Sequence, residues 1–133
     1  LDALVSDHTP VGADAKALPF AEAEPGATGL ELLWRLALKW AQEDQVDLVR
    51  ALATVTAGPA RVLGASLSGL QGSVGHLAIG GEADVVLLSA QGHWPITEDS
   101  LRSQGKSTPF SGYELPGRVL TTLVGGHVVF EVA

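Results

Sequence analysis

The apolar pattern of this chain changes its period once, at Gly64. Before that residue hydrophobic positions recur at helical spacing; after it they gather into short, β-branched runs separated by glycine pairs. In the first part Leu30, Leu33, Trp34, Ala37, Leu38 and Ala41 form one stripe, which predicts a helix ending near Glu43. Thr28-Gly29-Leu30-Glu31 ahead of it reads as a capping box. Trp34 and Trp40 fall on nearly opposite faces, so one of them must meet something other than the layer beneath. Asp47 is placed to cap a second helix over residues 48–55, Pro59 to open a short third one, and Gly64 to stop it in a left-handed conformation. In the second part residues 72–79 and 83–89 flank Gly80-Gly81, and residues 118–124 and 127–132 flank Gly125-Gly126, which are two hairpin signals. Residues 91–116 are broken by Gly92, Pro95, Gly105, Pro109, Gly112 and Pro116 and read as an irregular connection, with Trp94 and Phe110 as its anchors.

Charge and composition narrow the partners. Eight basic against fifteen acidic residues give a net charge of −7 with no basic cluster, which argues against nucleic acid or an anionic membrane. With no cysteine the chain has no disulfide, no thiol nucleophile and no zinc-finger chemistry, and a cytoplasmic setting is expected. No apolar run reaches the ~18 residues of a membrane span. The four histidines, His8, His76, His93 and His127, are too scattered for a His-x-His or a helical histidine pair. For the last three, surface or structural roles are expected.

The chemistry concentrates at the beginning. Leu4-Val5-Ser6-Asp7-His8-Thr9-Pro10 is an apolar run closed by an acid, an imidazole and a proline. Pro10 cannot donate to a sheet ladder and disfavours helix at Thr9, so a strand is predicted to end near His8. Asp7 and His8 then stand at its C-terminal end, where α/β proteins place their reactive groups. Residues 11–28 follow with no period, interrupted by Gly12, Pro19, Pro25 and Gly26, a loop long enough to be functional.

These pieces resemble the dihydroorotases of the amidohydrolase superfamily. The resemblance rests on Asp7-His8-Thr9-Pro10, Lys16, Pro19-Phe20, Glu22, Pro25-Gly26 and Gly29-Leu30-Glu31, then on Pro59 to Gly64, Gly81 to Val86, and Pro109-Phe110-Ser111-Gly112 with Leu115 and Gly117, in the family's order. It implies an α/β fold: the C-terminal part of a (β/α)8 barrel, its last strand and helices in residues 1–64, followed by strands of a small β-sandwich subdomain in residues 65–133. A whole barrel takes about 250 residues, so a segment of a larger protein is expected. In the family other strands complete the subdomain, and unpaired edges would favour a homo-oligomer.

The resemblance also implies an activity, the zinc-dependent interconversion of dihydroorotate and N-carbamoyl-aspartate in pyrimidine biosynthesis. By it Asp7 is the catalytic and metal-binding residue, and His8, Val11, Pro25 and Gly26 are substrate-binding positions. The remaining zinc ligands of the family, a His-x-His pair, a carboxylated lysine and two further histidines, have no counterpart here. Zinc is therefore expected in an intact parent protein, and neither metal nor activity in this segment alone. One position departs from the pattern: family members commonly read Asp-His-Ala-Pro-His, whose last histidine contacts the substrate carboxylate, and here Val11 stands in its place. Valine neither hydrogen-bonds nor carries charge, and Lys16 is the cation in the following loop placed to compensate. Val11 motivates an alternative, a non-catalytic dihydroorotase-like subunit that assembles with aspartate carbamoyltransferase. Another cyclic amidohydrolase, a hydantoinase or allantoinase, is a third reading.

Overall fold

The computed structural model describes residues 1–67 and 74–132. Its helices are α1 (Ala13–Lys16), α2 (Leu33–Glu43), α3 (Leu48–Ala53) and α4 (Ala57–Leu63), and its strands are β1 (Val85–Pro95), β2 (Glu114–Val124) and β3 (His127–Glu131). The strands form one antiparallel sheet in the order β1-β2-β3. Helix α2 lies against β2 and α3. It buries Ala37, Leu38 and Ala41, three members of the predicted stripe. Leu32, in the 3-10 turn Leu30–Leu32 that leads into α2, joins Ile96, Leu101 and Leu115 in the core, with Leu36 and Phe110 packed around them. Each such aliphatic side chain contributes about 1.5–3 kcal/mol by leaving water.

Several local signals act as expected. The Asp47 carboxylate accepts the Arg50 N–H at 3.0 Å and caps α3. Gly64 ends α4 at φ 46°. Val124 pairs with His127 across Gly125-Gly126, whose φ values of 54° and 80° make the two-residue turn that suits the twist of a hairpin.

Other expectations are corrected. Residues 1–10 form no ladder; no strand lies beside them among the described residues, and Leu4 N–H instead bonds to Thr54 O at 2.8 Å. The loop after Val11 holds one helical turn, α1. The hairpin across Gly80-Gly81 is absent over residues 74–79, and residues 72 and 73 of that predicted strand lie outside the described ones. Gly75 explains why: at φ +81° it lies so close on α4 that a Cβ there would sit 2.9 Å from Ala60 Cβ and 3.0 Å from Ala57 Cα. The segment is laid on the helix and not in the sheet.

The stretch 91–116 is also less irregular than its breakers suggest. β1 runs on to Pro95, and β2 begins at Glu114. Between the pairs Ser89–Arg118 and His93–Pro116 the register shifts, leaving residues 90–92 opposite Gly117. Gly92 and Gly117, at φ +76° and +71°, make a bulge inside the ladder instead of ending it. At Gly117 a Cβ would lie 2.5 Å from Ser89 O and 2.7 Å from Trp34 Cη2, so only glycine lets α2 approach this closely. Phe110 packs on the core as expected. Trp94 does not; it is 43% exposed, with the Arg118 guanidinium 5.1 Å from its ring centre.

Candidate functional site

Three chain segments meet beside the start of α2. Residues 6–9 form the first, and residues 25–31 are moulded around them. Thr9 N–H donates to Ala27 O at 3.0 Å. The N–H groups of Gly29 and Leu30 donate to His8 Nδ1 at 3.2 and 3.3 Å. Gly29 lies against the Ser6 carbonyl, where a Cβ would come within 2.8 Å of its oxygen. Gly26, at φ +127°, faces Thr9 and Val11, and a Cβ there would meet Thr9 O at 2.5 Å.

Residues 101–110 form the third segment, held by the two residues of the predicted capping box. Neither is used locally. The buried Thr28 hydroxyl donates to Gly105 O at 2.5 Å, and Thr28 N–H donates to Ser107 O at 2.8 Å. Glu31 accepts the Arg102 N–H at 2.8 Å and the Ser103 N–H at 2.9 Å. Non-local acceptors for Thr28 and non-local donors for Glu31 thus displace the i to i+3 pairing that the sequence pattern favours. Gly105 is packed against Pro10 and the Val11 nitrogen, with 2.8 and 3.0 Å left for a Cβ.

A cleft of about 540 Å³ opens between the three segments, lined by Ser6, Asp7, Thr9, residues 25–29, Pro109 and Phe110. Asp7 sits on its wall at φ 44°, in the left-handed region. For a residue with a Cβ this conformation costs about 1–2 kcal/mol, and such outliers concentrate at working sites. The Asp7 side chain is exposed, and among the described residues its carboxylate has no hydrogen-bond or ion-pair partner. It is an acceptor open to a ligand.

The cleft therefore gathers Asp7, Pro25 and Gly26 and leaves out the other two expected substrate positions. His8 turns its Nδ1 onto the helix start, and Val11 is buried at 5% exposure behind Gly26. Lys16 bonds across its own loop, Nζ to Glu24 O at 2.6 Å. His76, His93 and His127 are all exposed. Sequence reasoning missed Ser6, Thr9 and Pro109 as lining residues, and it placed Phe110 in the core alone. Thr9 and Pro109-Phe110 carried a signal through the resemblance, whereas Ser6 stood in the sequence only as part of the apolar run before Asp7.

Helix α2 is fixed to the far side of this junction by Arg35. Its guanidinium donates to Leu115 O at 2.7 Å, Trp94 O at 2.9 Å and Pro116 O at 3.4 Å. Burial lowers the Arg35 pKa from its ordinary value. The side chain remains a cation at any working pH.

As for a metal, no group of three or more His, Asp or Glu side chains able to hold one occurs among the described residues. Asp7 supplies one anionic ligand where a zinc site takes about four, or three and a water. The donors of this chain by themselves do not fit the metal centre that the resemblance implies.

The fold belongs to a known class: this chain is a member of the amidohydrolase family, whose profile matches residues 3–129. Within that family it is 43% identical over 131 residues to a dihydroorotase-like protein of Pseudomonas aeruginosa, and 38% identical over the same length to a dihydroorotase of Anaeromyxobacter dehalogenans. Each match covers 98% of this chain and 29% of the relative, so the chain spans less than a third of the curated relatives it matches. Among solved structures, a D-hydantoinase from Thermus sp. superposes with a TM-score of 0.83 at 23% identity, over 98% of this chain and 28% of that one. Another D-hydantoinase gives 0.81 at 22%, with the same coverage. At these identities the likeness is one of fold, and it is the amidohydrolase α/β fold that the sequence motifs imply. No helix among the described residues is long and apolar enough to cross a membrane.

Proposed function

We propose that this chain is the segment of a dihydroorotase-like cyclic amidohydrolase that presents its catalytic carboxylate, Asp7, to the substrate. The observation that carries the reading is the unpartnered Asp7 carboxylate, held in a left-handed turn on the wall of the cleft. The dihydroorotase names of relatives at 38–43% identity support a cyclic amide as substrate. The whole protein would interconvert dihydroorotate and N-carbamoyl-aspartate, a cytoplasmic step of pyrimidine biosynthesis. In the hydrolytic direction Asp7 takes a proton from the water that attacks the ring carbonyl. When the C–N bond breaks it returns that proton to the departing nitrogen. Condensation reverses the two transfers. Pro25 and Gly26, on the same cleft, line the space beside the reacting amide. Zinc belongs to this proposal as a group of the whole protein. With only Asp7 to offer, the segment alone would hold no metal and hydrolyse nothing.

Val11 favours a second reading. Its side chain is buried and apolar where the resemblance puts a histidine that contacts the substrate carboxylate, so an anionic substrate loses a charge-assisted contact. A non-catalytic subunit assembled with aspartate carbamoyltransferase accommodates that loss, as does a hydantoinase or allantoinase whose substrate lacks the carboxylate. A homo-oligomer fits either reading. The deciding measurement is zinc content and dihydroorotate hydrolysis by the full-length protein beside Asp7→Ala. Zinc with activity that disappears in the variant supports the enzyme. A folded protein that hydrolyses no cyclic amide and copurifies with aspartate carbamoyltransferase supports the assembly role, and turnover of hydantoin or allantoin but not dihydroorotate supports the third.

A further inference from the structure

We propose that His8 is a positioning residue, whose neutral imidazole ties the turn at Asp7 to the start of α2 and so fixes where the carboxylate points. Two backbone N–H groups, from Gly29 and Leu30, converge on His8 Nδ1 at 3.2 and 3.3 Å. Two donors on one ring nitrogen require its lone pair, which places the ring proton on Nε2. Gly29 and Leu30 stand at the beginning of the 3-10 turn and helix running from Leu30 to Glu43, where N–H groups lack partners within the helix. No side chain of the helix's own first turn caps them; Gly29 and Leu32, the residues preceding the 3-10 turn and α2, make no side-chain cap. The imidazole is that cap, brought from 21 residues away in sequence.

The tie acts on Asp7 because it is one of three around that residue. Before Asp7, the Ser6 carbonyl abuts Gly29; after it come the His8 cap and the Thr9 N–H bond to Ala27 O at 3.0 Å. Asp7, at φ 44°, stands between them with only the Thr9 hydroxyl on its carbonyl, at 3.5 Å, and its conformation persists because the neighbours on both sides are pinned to residues 27–30. With the cap removed, one pin is lost and Asp7 relaxes towards ordinary backbone, moving its carboxylate. The consequence for turnover rests on the catalytic reading of Asp7, whereas the capping itself does not.

The test uses the full-length protein with ¹⁵N-labelled histidine, and the variants His8→Ala, His8→Asn and Asp7→Asn. The His8 ring, assigned by its absence from His8→Ala, should show a bare Nδ1 and a protonated Nε2. Amide exchange at Gly29 and Leu30 should quicken about tenfold in His8→Ala, the effect of one lost hydrogen bond. In His8→Asn, whose side-chain oxygen can accept the same donors, it should be largely restored. Turnover should follow the same order, kcat falling about tenfold in His8→Ala at an unchanged KM and recovering in His8→Asn. A protonated Nδ1, or exchange at Gly29 and Leu30 indifferent to His8→Ala, overturns the proposal. So does a rise in KM alone, which would make His8 a substrate contact. If Asp7→Asn leaves turnover intact, or the protein has none, the catalytic reading fails, and the ring tautomer and exchange rates still decide the cap.

Discussion

The junction beside α2 and the outer surface made by residues 74–86 and β3 are built to different standards. At the junction, side chains from α2 and the segment before it reach across to backbone groups of remote segments: Thr28 to Gly105, Glu31 to Arg102 and Ser103, and Arg35 to Trp94, Leu115 and Pro116. No buried side-chain polar atom there or elsewhere among the described residues lacks a partner. On the outer surface Leu77 and Ile79 are fully or nearly fully exposed, Val128 and Val129 more than half so, and a second cleft of about 590 Å³ opens between α4 and residues 74–86. The junction is closed by its own residues and can hold a carboxylate in a strained turn. The outer surface leaves apolar area in water that none of the described residues covers. Rigidity in this molecule is spent next to Asp7.

The contrast is tested most severely at glycine. Gly117→Ala forces a Cβ into the space between Ser89 O and Trp34 at a residue with φ +71°. Overpacking and backbone strain together should cost about 3 kcal/mol or more in denaturant unfolding. Gly125→Ala, at φ +54° on the hairpin tip with nothing within 4 Å, carries the strain alone and should cost about 1 kcal/mol. Equal losses at the two sites would erase the distinction between junction and outer surface.

Arg35→Met comes next. It keeps a long apolar stem but leaves the Trp94, Leu115 and Pro116 carbonyls without their donor, which should cost about 2 kcal/mol. Because burial lowers the Arg35 pKa, the folded state holds the proton less tightly than the unfolded chain, so stability from this group rises with pH only where arginine begins to titrate. Over about pH 6 to 9 the guanidinium stays charged in both states, and the loss measured for Arg35→Met should be flat. A loss that varies with pH in that range would mean another titrating group shares the site.

These junction residues also show what was legible in the sequence. The stripe of α2, the Asp47 cap, the stop at Gly64 and the Gly125-Gly126 turn were readable because each is decided by neighbours within about four residues. Asp7 stood out by its residue type and its place before a proline. The His8 cap, the partners of Thr28 and Glu31 and the bulge at Gly92 and Gly117 were not readable, because their partners lie 21 to 77 residues away or on the paired strand. The same cause undid the predicted strand over residues 1–8, whereas the hairpin at Gly80-Gly81 gave way to the packing of Gly75 on α4. A β-branched run becomes a strand only when another strand is present to pair with it.

Thr28→Val refines the comparison within the junction. It is nearly isosteric and removes the one hydroxyl that bonds to Gly105 O, leaving a buried carbonyl unpaired, for a loss of about 1–2 kcal/mol. The same change at Thr56, an exposed residue whose hydroxyl bonds to Leu52 O four residues earlier, should cost a few tenths of a kcal/mol, ~0.5 at most.

The smallest effect is expected on the outer surface, and it says most about what that surface is for. In this chain Ile79 makes so little contact that Ile79→Ser should change the unfolding free energy by less than about 0.5 kcal/mol. The chain spans only 29% of the length of its relatives, and a buried isoleucine truncated in a core costs about 2–5 kcal/mol. Measuring Ile79→Ser in the full-length protein therefore separates two states of the same residue. A loss of several kcal/mol would mean that further chain covers the surface and that the exposed apolar area here is an interior face. A loss as small as in this chain would leave the face open in the whole protein, and a change of oligomeric state in Ile79→Ser would then identify a second copy as its cover.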